Sequence, residues 1–426
     1  MTNFYYINRI ICFCKNRIKN ISILILALVF NNQIATSYDF FIDGIYYYYG
    51  DNHEVSVAQG EQKYEGHVVI PDSIIINGIS LRVTKIASDA FAECKNLLAV
   101  SLPKSVSRIG ADAFLNCENL VNINLSNIVY FGDNSFKGCS NIESIDFIDA
   151  DLYIGRSAFS NCYKLKSLYF PPCNDYEYEP RTRIFDNAFE YCYNVTSVYL
   201  SGRVCDLFDY AFANCGKIET LSFEDNGNSM KFFYEGGIIN YHHFMNVYPK
   251  YVYIGRSTWP KGPTSFNHYF SPVHLDETKV LAIGKNRNSD LVSNCELAKK
   301  LEKVYVMIDH PLGSSDIMFN NSVYINAVLY VPKGKKEEYL QRTPWKNFLN
   351  IQEMDIEDMW HGHGVPEGYE DIQGDVNGDS EVNIADINAV INMILSSSSN
   401  LNGDVNHDLE INIADINEII NIILSN

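Results

Sequence analysis

Lysine and arginine are missing altogether from residues 355–426, which hold 15 aspartates and glutamates. The rest of the chain balances 33 basic side chains against the 37 acidic ones that remain of 52, and gathers the basic ones into no patch. Binding to phosphates draws on counterion release by such a patch, so no nucleic-acid partner is expected. Long apolar runs are equally scarce. The longest, ISILILALVF from Ile21 to Phe30, is too short to span a bilayer, so no transmembrane anchor is expected in the mature chain. Catalytic signatures are absent too. There is no nucleophile elbow, no HExxH pair, no glycine-rich phosphate loop and no long α/β or barrel region to carry one, so no catalytic residue is assigned and enzyme activity is not expected.

The short apolar run has a purpose of its own. Arg9, Lys15, Arg17 and Lys19 precede it, and small residues follow in NNQIATS, the arrangement of a secretory signal, placed at residues 1–36. No cysteine closes the run, which disfavours a lipid-modified terminus. The mature chain is therefore expected outside the cell.

The middle of the chain repeats itself. AFAECKNLLAVSL (from Ala90), AFLNCENLVNINL (Ala113), SFKGCSNIESIDF (Ser135), AFSNCYKLKSLYF (Ala158), AFEYCYNVTSVYL (Ala188) and AFANCGKIETLSF (Ala211) align without gaps, at steps of 23, 22, 23, 30 and 23 residues. Apolar side chains fall every third residue (Phe91, Cys94, Leu97, Val100) and then at a step of two (Val100, Leu102). A turn of tight helix feeding a short strand puts them on one side. One unit cannot bury that side alone, so the units must stack into a solenoid. The seven extra residues before Ala188, within Pro171 to Arg183, are expected to form an outward loop. In each strand the residues flanking the inward apolar pair face outward: Ala99 and Ser101, Asn122 and Asn124, Ser144 and Asp146, Ser167 and Tyr169, Ser197 and Tyr199, Thr220 and Ser222.

The repeated cysteines, Cys94, Cys117, Cys139, Cys162, Cys192 and Cys215, with Cys295 added, allow two readings. Stacked coils bring equivalent Cα atoms within disulfide range, and an oxidising compartment permits bridges. A small buried thiol also fills an inward turn well, and packing favours that second reading. Histidines do not share the cysteine spacing, which disfavours zinc.

These residues resemble the leucine-rich repeats of the BspA-like family of bacterial surface proteins: an AF..C..L..[IV].[LF]-like core, in full [AS]F..C..[LIV]..[LIV].[LF], recurs six times, with RIG or YIG turns near Arg108 and Tyr153. The resemblance implies an α/β repeat, a leucine-rich repeat solenoid over residues 83–354 with a closing C-terminal cap and a β-rich N-terminal cap over 37–82. The repeat pattern weakens between Glu224 and Asp290. What the family implies is a binding face directed at a host matrix protein, a glycan or another cell-surface ligand. Tyr169 and Tyr199 are the outward residues best suited to such contact, because amphipathic aromatics offer large contact area at low ordering cost.

The C-terminus repeats at another period. From Asp375 and from Asp404, two 22-residue stretches share 16 identities. In each, oxygen-bearing side chains occupy loop positions 1, 3, 5, 9 and 12: Asp375, Asn377, Asp379, Asn383 and Asp386, then Asp404, Asn406, Asp408, Asn412 and Asp415. Backbone carbonyls of Glu381 and Glu410 stand at position 7. Donors at this spacing wrap a hard cation, so two Ca2+ ions are expected. Position 6 departs from glycine, being Ser380 and Leu409. Each loop leads into an amphipathic helix, with stripes Ile387, Val390, Ile391, Ile394, Leu395 and Ile416, Ile419, Ile420, Ile423, Leu424 that can bury each other.

This duplicated loop and helix resembles the type I dockerin over residues 374–426, a small all-α, EF-hand-like module. The resemblance implies a cohesin partner on a scaffold or cell surface, met through loop positions 10 and 11, here Ile384 and Ala385 with Ile413 and Ala414. Residues 355–373, with His361 and His363 among Gly and Pro, read as a flexible linker. Two functional expectations follow. The first is a secreted, non-catalytic binding or adhesion protein docked to a cohesin-bearing assembly. The second is an accessory component of a polysaccharide-degrading complex.

Overall fold

The computed structural model describes residues 38–50, 52–147, 151–170, 182–223, 230–233, 243–256, 258–261, 273–286, 295–311, 319–359, 376, 382, 384–396, 405 and 412–425. The expected signal at 1–36, residues 171–181 of the loop expected within 171–183, and residues 360–373 of the linker expected at 355–373 lie outside them, whereas Thr182–Ile184 is a strand and Ile356–Met359 a helical turn.

Apolar spacing builds a coil with three sides. Strands such as Ser167–Phe170, Ser197–Leu200, Thr220–Phe223 and Tyr251–Arg256 form one side. They pair parallel and in register, Leu168 opposite Val198, Val198 opposite Leu221 and Leu221 opposite Val252. Shorter strands, Arg108–Ile109, Tyr130–Phe131, Tyr153–Ile154 and Thr182–Ile184, form the second. The repeat is a leucine-rich repeat β-solenoid. The weak region conforms as well, since Tyr251–Arg256 and Val280–Asn286 pair parallel with each other and continue the sheet.

The third side holds the AF..C segment, and here the expected turn of helix is corrected. Asp89 and Glu93, Asp112 and Asn116, Ser157 and Asn161, Asn187 and Tyr191, and Tyr210 and Asn214 all have φ between 52° and 64°. Two left-handed steps four residues apart flatten the turn. The amides of Asp89, Phe91 and Glu93 donate to the carbonyls of Ala111, Ala113 and Leu115 in the next coil at 2.7–3.0 Å, while those of Ala92 and Cys94 donate within the coil to Asp89 and Phe91 at 3.0 and 3.1 Å. A helix would keep every amide to itself; this turn shares half of them between coils and so closes the third side as a ladder. Asn and Asp tolerate the left-handed region best, which is why they recur there.

Stacking aligns equal side chains along the axis. Phe91, Phe114, Phe136, Phe159, Phe189, Phe212 and Phe244 form a spine with ring centroids 4.8–5.3 Å apart and planes within 7° of parallel. Each ring pair adds about 0.5–1.5 kcal/mol beyond burial. The RIG and YIG turns mark where coils touch most closely. A Cβ at Gly110 would stand 2.5 Å from the amide nitrogen of Ser88, and one at Gly155 would stand 2.7 Å from that of Asp133.

Both ends of the solenoid are covered. At the N-terminal end Phe40–Ile42 and Ile45–Tyr49 form an antiparallel hairpin over Glu54–Val57, and a second hairpin, Ser73–Ile76 with Ile79–Ile86, turns through Asn77 and Gly78, both at positive φ. Tyr64 continues the Phe spine, 4.5 Å from Phe91. At the other end buried Tyr339 and Trp345 close the core beneath the strands Val328–Pro332 and Asn350–Met354. Past that strand the chain turns onto the outward face of the sheet: Met359, in the helical turn Ile356–Met359, is fully buried with Tyr253, Val280, Ala282, Tyr305 and Met307.

A separate core joins two 13-residue helices, Ile384–Ser396 and Ile413–Ser425. It comprises Val376, Val390, Met393, Val405 and Ile419.

Candidate functional site

The strand face is the first of two surfaces. Tyr169 and Tyr199 are opposite each other in register, half-buried, their rings stacked with centroids 4.9 Å apart and planes at 18°. The structure brings these two sequence-predicted residues together. Further along the same row come Ser222, Tyr253, Ala282, Tyr305 and Tyr330. The expectation of a uniformly outward polar face fails here. Thr220 and Ser222 are buried, and Tyr253 and Tyr305 lie under the Ile356–Met359 turn. Outward direction set by strand alternation does not guarantee exposure, because a later stretch of chain can lie across the sheet. Asn124 is also diverted. Its side-chain amide donates to Leu102 O at 3.1 Å and its Oδ1 accepts from Leu102 N at 2.9 Å, so it extends the ladder where strand pairing stops.

The second sheet carries a row that sequence reasoning missed. The guanidinium of Arg108 lies 4.2 Å above the centre of the Tyr130 ring. Tyr130 stacks on Tyr153 at 4.6 Å, Tyr153 meets Phe185 in a tilted contact at 4.7 Å and Phe185 stacks on Phe208 at 4.5 Å. The signal was present two residues before each turn glycine, where Arg108, Tyr130 and Tyr153 stand, but it becomes a row only when the register Arg108, Tyr130, Tyr153 is known.

The cysteines settle between their two readings. Cys94, Cys117, Cys139, Cys162, Cys192, Cys215 and Cys295 are unbridged and buried. The thiols of Cys117, Cys139, Cys162, Cys192 and Cys215 donate to the carbonyls of Phe91, Phe114, Phe136, Phe159 and Phe189 at 3.0–3.4 Å. Burial pushes the thiols of Cys139, Cys162 and Cys192 well above their usual range, and that of Cys94 to about 11.

The helix pair is the second surface. Asp375, Asn377, Asp379, Glu381, Asn383, Asp404, Asn406, Asp408 and Glu410 lie outside the described residues. Asp386 and Asp415, the position-12 carboxylates, are fully buried in the first turns of their helices. The two carboxylate oxygens of Asp415 accept the amides of Val405 and Asn412, each at 2.8 Å, and the Asn412 side chain accepts the Ala414 amide. These bonds tie Val405 and Asn412 to the start of the helix. Buried carboxylates are costly without a counter-charge, and residues 355–426 contain no Lys or Arg to supply one. All-oxygen donors of this kind fit a hard divalent cation such as Ca2+.

The helix stripes are rotated from those expected. Val390, Met393 and Ile419 are buried and Ile387, Ile394, Ile416, Ile422 and Ile423 pack beside them, whereas Ile391, Ile420 and Leu424 face away. Two helices crossing in contact bury one narrow seam, and Met393 and Ile422 fall closer to it than Ile391 and Ile420. The outward apolar residues recur at equivalent places: Ile384 and Ile413 are each 71% exposed, Ile391 and Ile420 each 37%. Ala414 is half-buried beside Ile413, and Ala385 lies in the first turn of its helix.

A stacked repeat solenoid together with a pair of helices on a core of their own defines a leucine-rich repeat protein with an appended two-helix module. The chain carries BspA-type leucine-rich repeats, matched in 6 copies over residues 72–179 and 177–235, and a type I dockerin domain, matched over residues 373–424. No curated protein matches it. Similar solved structures are a leucine-rich repeat protein of T. pallidum (24% identity over 52% of this chain and 86% of that one, TM-score 0.38), and one of Bacteroides ovatus ATCC 8483 (19%, 75% and 77%, TM-score 0.42). A third is a leucine rich cell surface protein of Faecalibacterium prausnitzii A2-165 (17%, 74% and 94%, TM-score 0.37). Type I dockerin domains are calcium-binding, and both kinds of domain are non-catalytic. Among the described residues no helix is long and apolar enough to cross a membrane.

Proposed function

We propose that the protein is a secreted, non-catalytic binding protein, held on a cohesin-bearing scaffold or cell surface by its calcium-loaded dockerin while the solenoid presents a sheet face to a ligand. Two Ca2+ ions are assigned to the loops, one to Asp375, Asn377, Asp379, Glu381, Asn383 and Asp386, the other to Asp404, Asn406, Asp408, Glu410, Asn412 and Asp415. The observation that carries the reading is the matched outward pair Ile384 and Ile413, each strongly exposed at the start of a helix whose other side is committed to a core. An apolar residue left exposed twice at the same place is a surface waiting for a partner.

Either half can then present the same contact, which sets the test. In capture of cohesins from scaffold proteins of the producing organism, Ile384→Asp or Ile413→Asp alone should weaken binding by less than about tenfold, and the double variant should abolish it, as expected for an apolar hot spot. Chelation with EDTA should abolish it as well. Undiminished capture by the double variant would place the contact elsewhere.

A further inference from the structure

The strand face deepens this reading, because its best-formed feature is incomplete. On the second sheet the aromatic row that starts at Tyr130 is closed at its near end by a cation, the Arg108 guanidinium one coil earlier. On the strand face the Tyr169 and Tyr199 stack has a carboxylate in the corresponding place. Phe147 stacks on Phe170 at 4.7 Å, and the amide of Lys166 donates to Glu143 O at 3.0 Å just as that of Thr196 donates to Lys166 O at 2.8 Å. Those contacts set residue 146 one coil before residue 169, so Asp146 holds the register position before Tyr169 that Arg108 holds before Tyr130.

Asp146 reaches solvent and has no hydrogen-bond or ion-pair partner among the described residues. Partial desolvation raises its carboxyl above the usual carboxylate range. Nearby cations are spoken for: Lys166 pairs with Glu143 at 3.4 Å. Around it stand Ser144, Ser167 and Ser197, which donate and accept without adding charge. A partly desolvated carboxylate beside an aromatic ring is the complement of a guanidinium or ammonium, which gains both a charge-assisted hydrogen bond and a cation–π contact.

We propose that Asp146 and the Tyr169–Tyr199 stack form a subsite for a cationic side chain, arginine above all, presented by an extended segment of a protein partner. The inference rests on reading the strand face as the ligand-binding surface. Charge complementarity favours a protein over a glycan here, since a neutral sugar would leave the carboxylate unpaired. Arginine suits the site better than lysine because its planar fork can bond the carboxylate while lying on the ring.

The test uses the full-length protein with calcium and the capped peptide Ser-Thr-Arg-Thr-Ser, beside versions with Lys, Gln or Glu in place of Arg, and a xylan oligosaccharide. Binding is followed by calorimetry and by NMR shifts at Asp146 and Tyr169. Arg should bind about tenfold tighter than Gln, the worth of one charge-assisted contact, with Lys between them and Glu undetected. Asp146→Asn, isosteric and at an exposed position, should remove the Arg preference without lowering the melting temperature. Equal binding of the Arg and Gln peptides, or of Arg by wild type and Asp146→Asn, overturns the subsite while leaving the face a binding surface. Oligosaccharide binding that shifts Tyr169 and outlasts Asp146→Asn, with no peptide bound, replaces the protein partner by a glycan. No binding of any probe overturns the subsite and withdraws support from the face itself, and cohesin capture, measured in parallel, remains an independent readout of the dockerin.

Discussion

Cys94, Cys139, Cys162 and Cys192 hold their protons because the solenoid interior disfavours a thiolate, and each raised value is a statement about stability. In the unfolded chain a thiol loses its proton near pH 8.5, in the folded one far higher. The stabilisation is therefore complete below that pH. Above it the unfolded state binds fewer protons, and each thiol removes about 1.4 kcal/mol per pH unit until its folded value is reached. The melting temperature should fall steeply from about pH 9 to 11, and Cys139→Ala with Cys192→Ala should flatten that fall while lowering stability at pH 7. Native protein at pH 8 should leave these thiols unreactive to Ellman's reagent. An equal pH slope in the double variant would show that other groups govern it. That these cysteines share one inward position was readable from the repeat; that the thiols of Cys139, Cys162 and Cys192 meet a phenylalanine carbonyl of the preceding coil was not. The carbonyl belongs to a residue 25 to 33 positions away. Nor was the left-handed pair flanking each AF visible, although Asn and Asp recur there, since threefold apolar spacing fits a helical turn equally well.

Between elements, register does what periodicity cannot. Strand alternation correctly set Val100, Leu168, Val198 and Leu221 inside, yet only pairing showed that Tyr169 meets Tyr199 or that Arg108 meets Tyr130. In the helix pair the 3.6-residue stripe is wider than the seam, so the pattern left two choices of rotation, and packing took the side of Met393 and Ile422. That choice is testable by hydrogen exchange on the full chain with calcium. Ile419→Ala should cost about 2–5 kcal/mol, as buried large-to-small changes do, and bring exchange across 384–425 close to that of the unfolded chain. Ile420→Ala should cost under about 1 kcal/mol and leave exchange unchanged. EDTA should reproduce the first variant in the wild type, because the buried Asp386 and Asp415 then lack a counter-charge. Equal effects of the two substitutions would refute the rotation.

For the whole molecule, the turn at Ile356–Met359 closes the outward face at one end of the sheet while Asp146 and Tyr169 remain accessible at the other. A chain ending at residue 359 should melt like the intact solenoid and bind little hydrophobic dye. One ending at 354 uncovers Tyr253, Tyr305 and Met307 and should bind the dye strongly, losing about 2–3 kcal/mol for the buried methionine. Identical melting and dye binding would mean that the turn merely rests there.

Repeats were the most legible part of the chain, because units that recur mostly every 22 to 23 residues with invariant Phe and Cys admit one economical outcome, coils stacked on a shared core. Local chemistry is enough for that: each residue's inward or outward choice follows from its neighbours a few positions away. Exposure does not. Whether Tyr253 or Tyr305 meets water depends on a stretch of chain at Met359, and whether an aspartate has a partner depends on the coil beside it. Such contacts join residues distant in sequence, so the tertiary structure alone decided them.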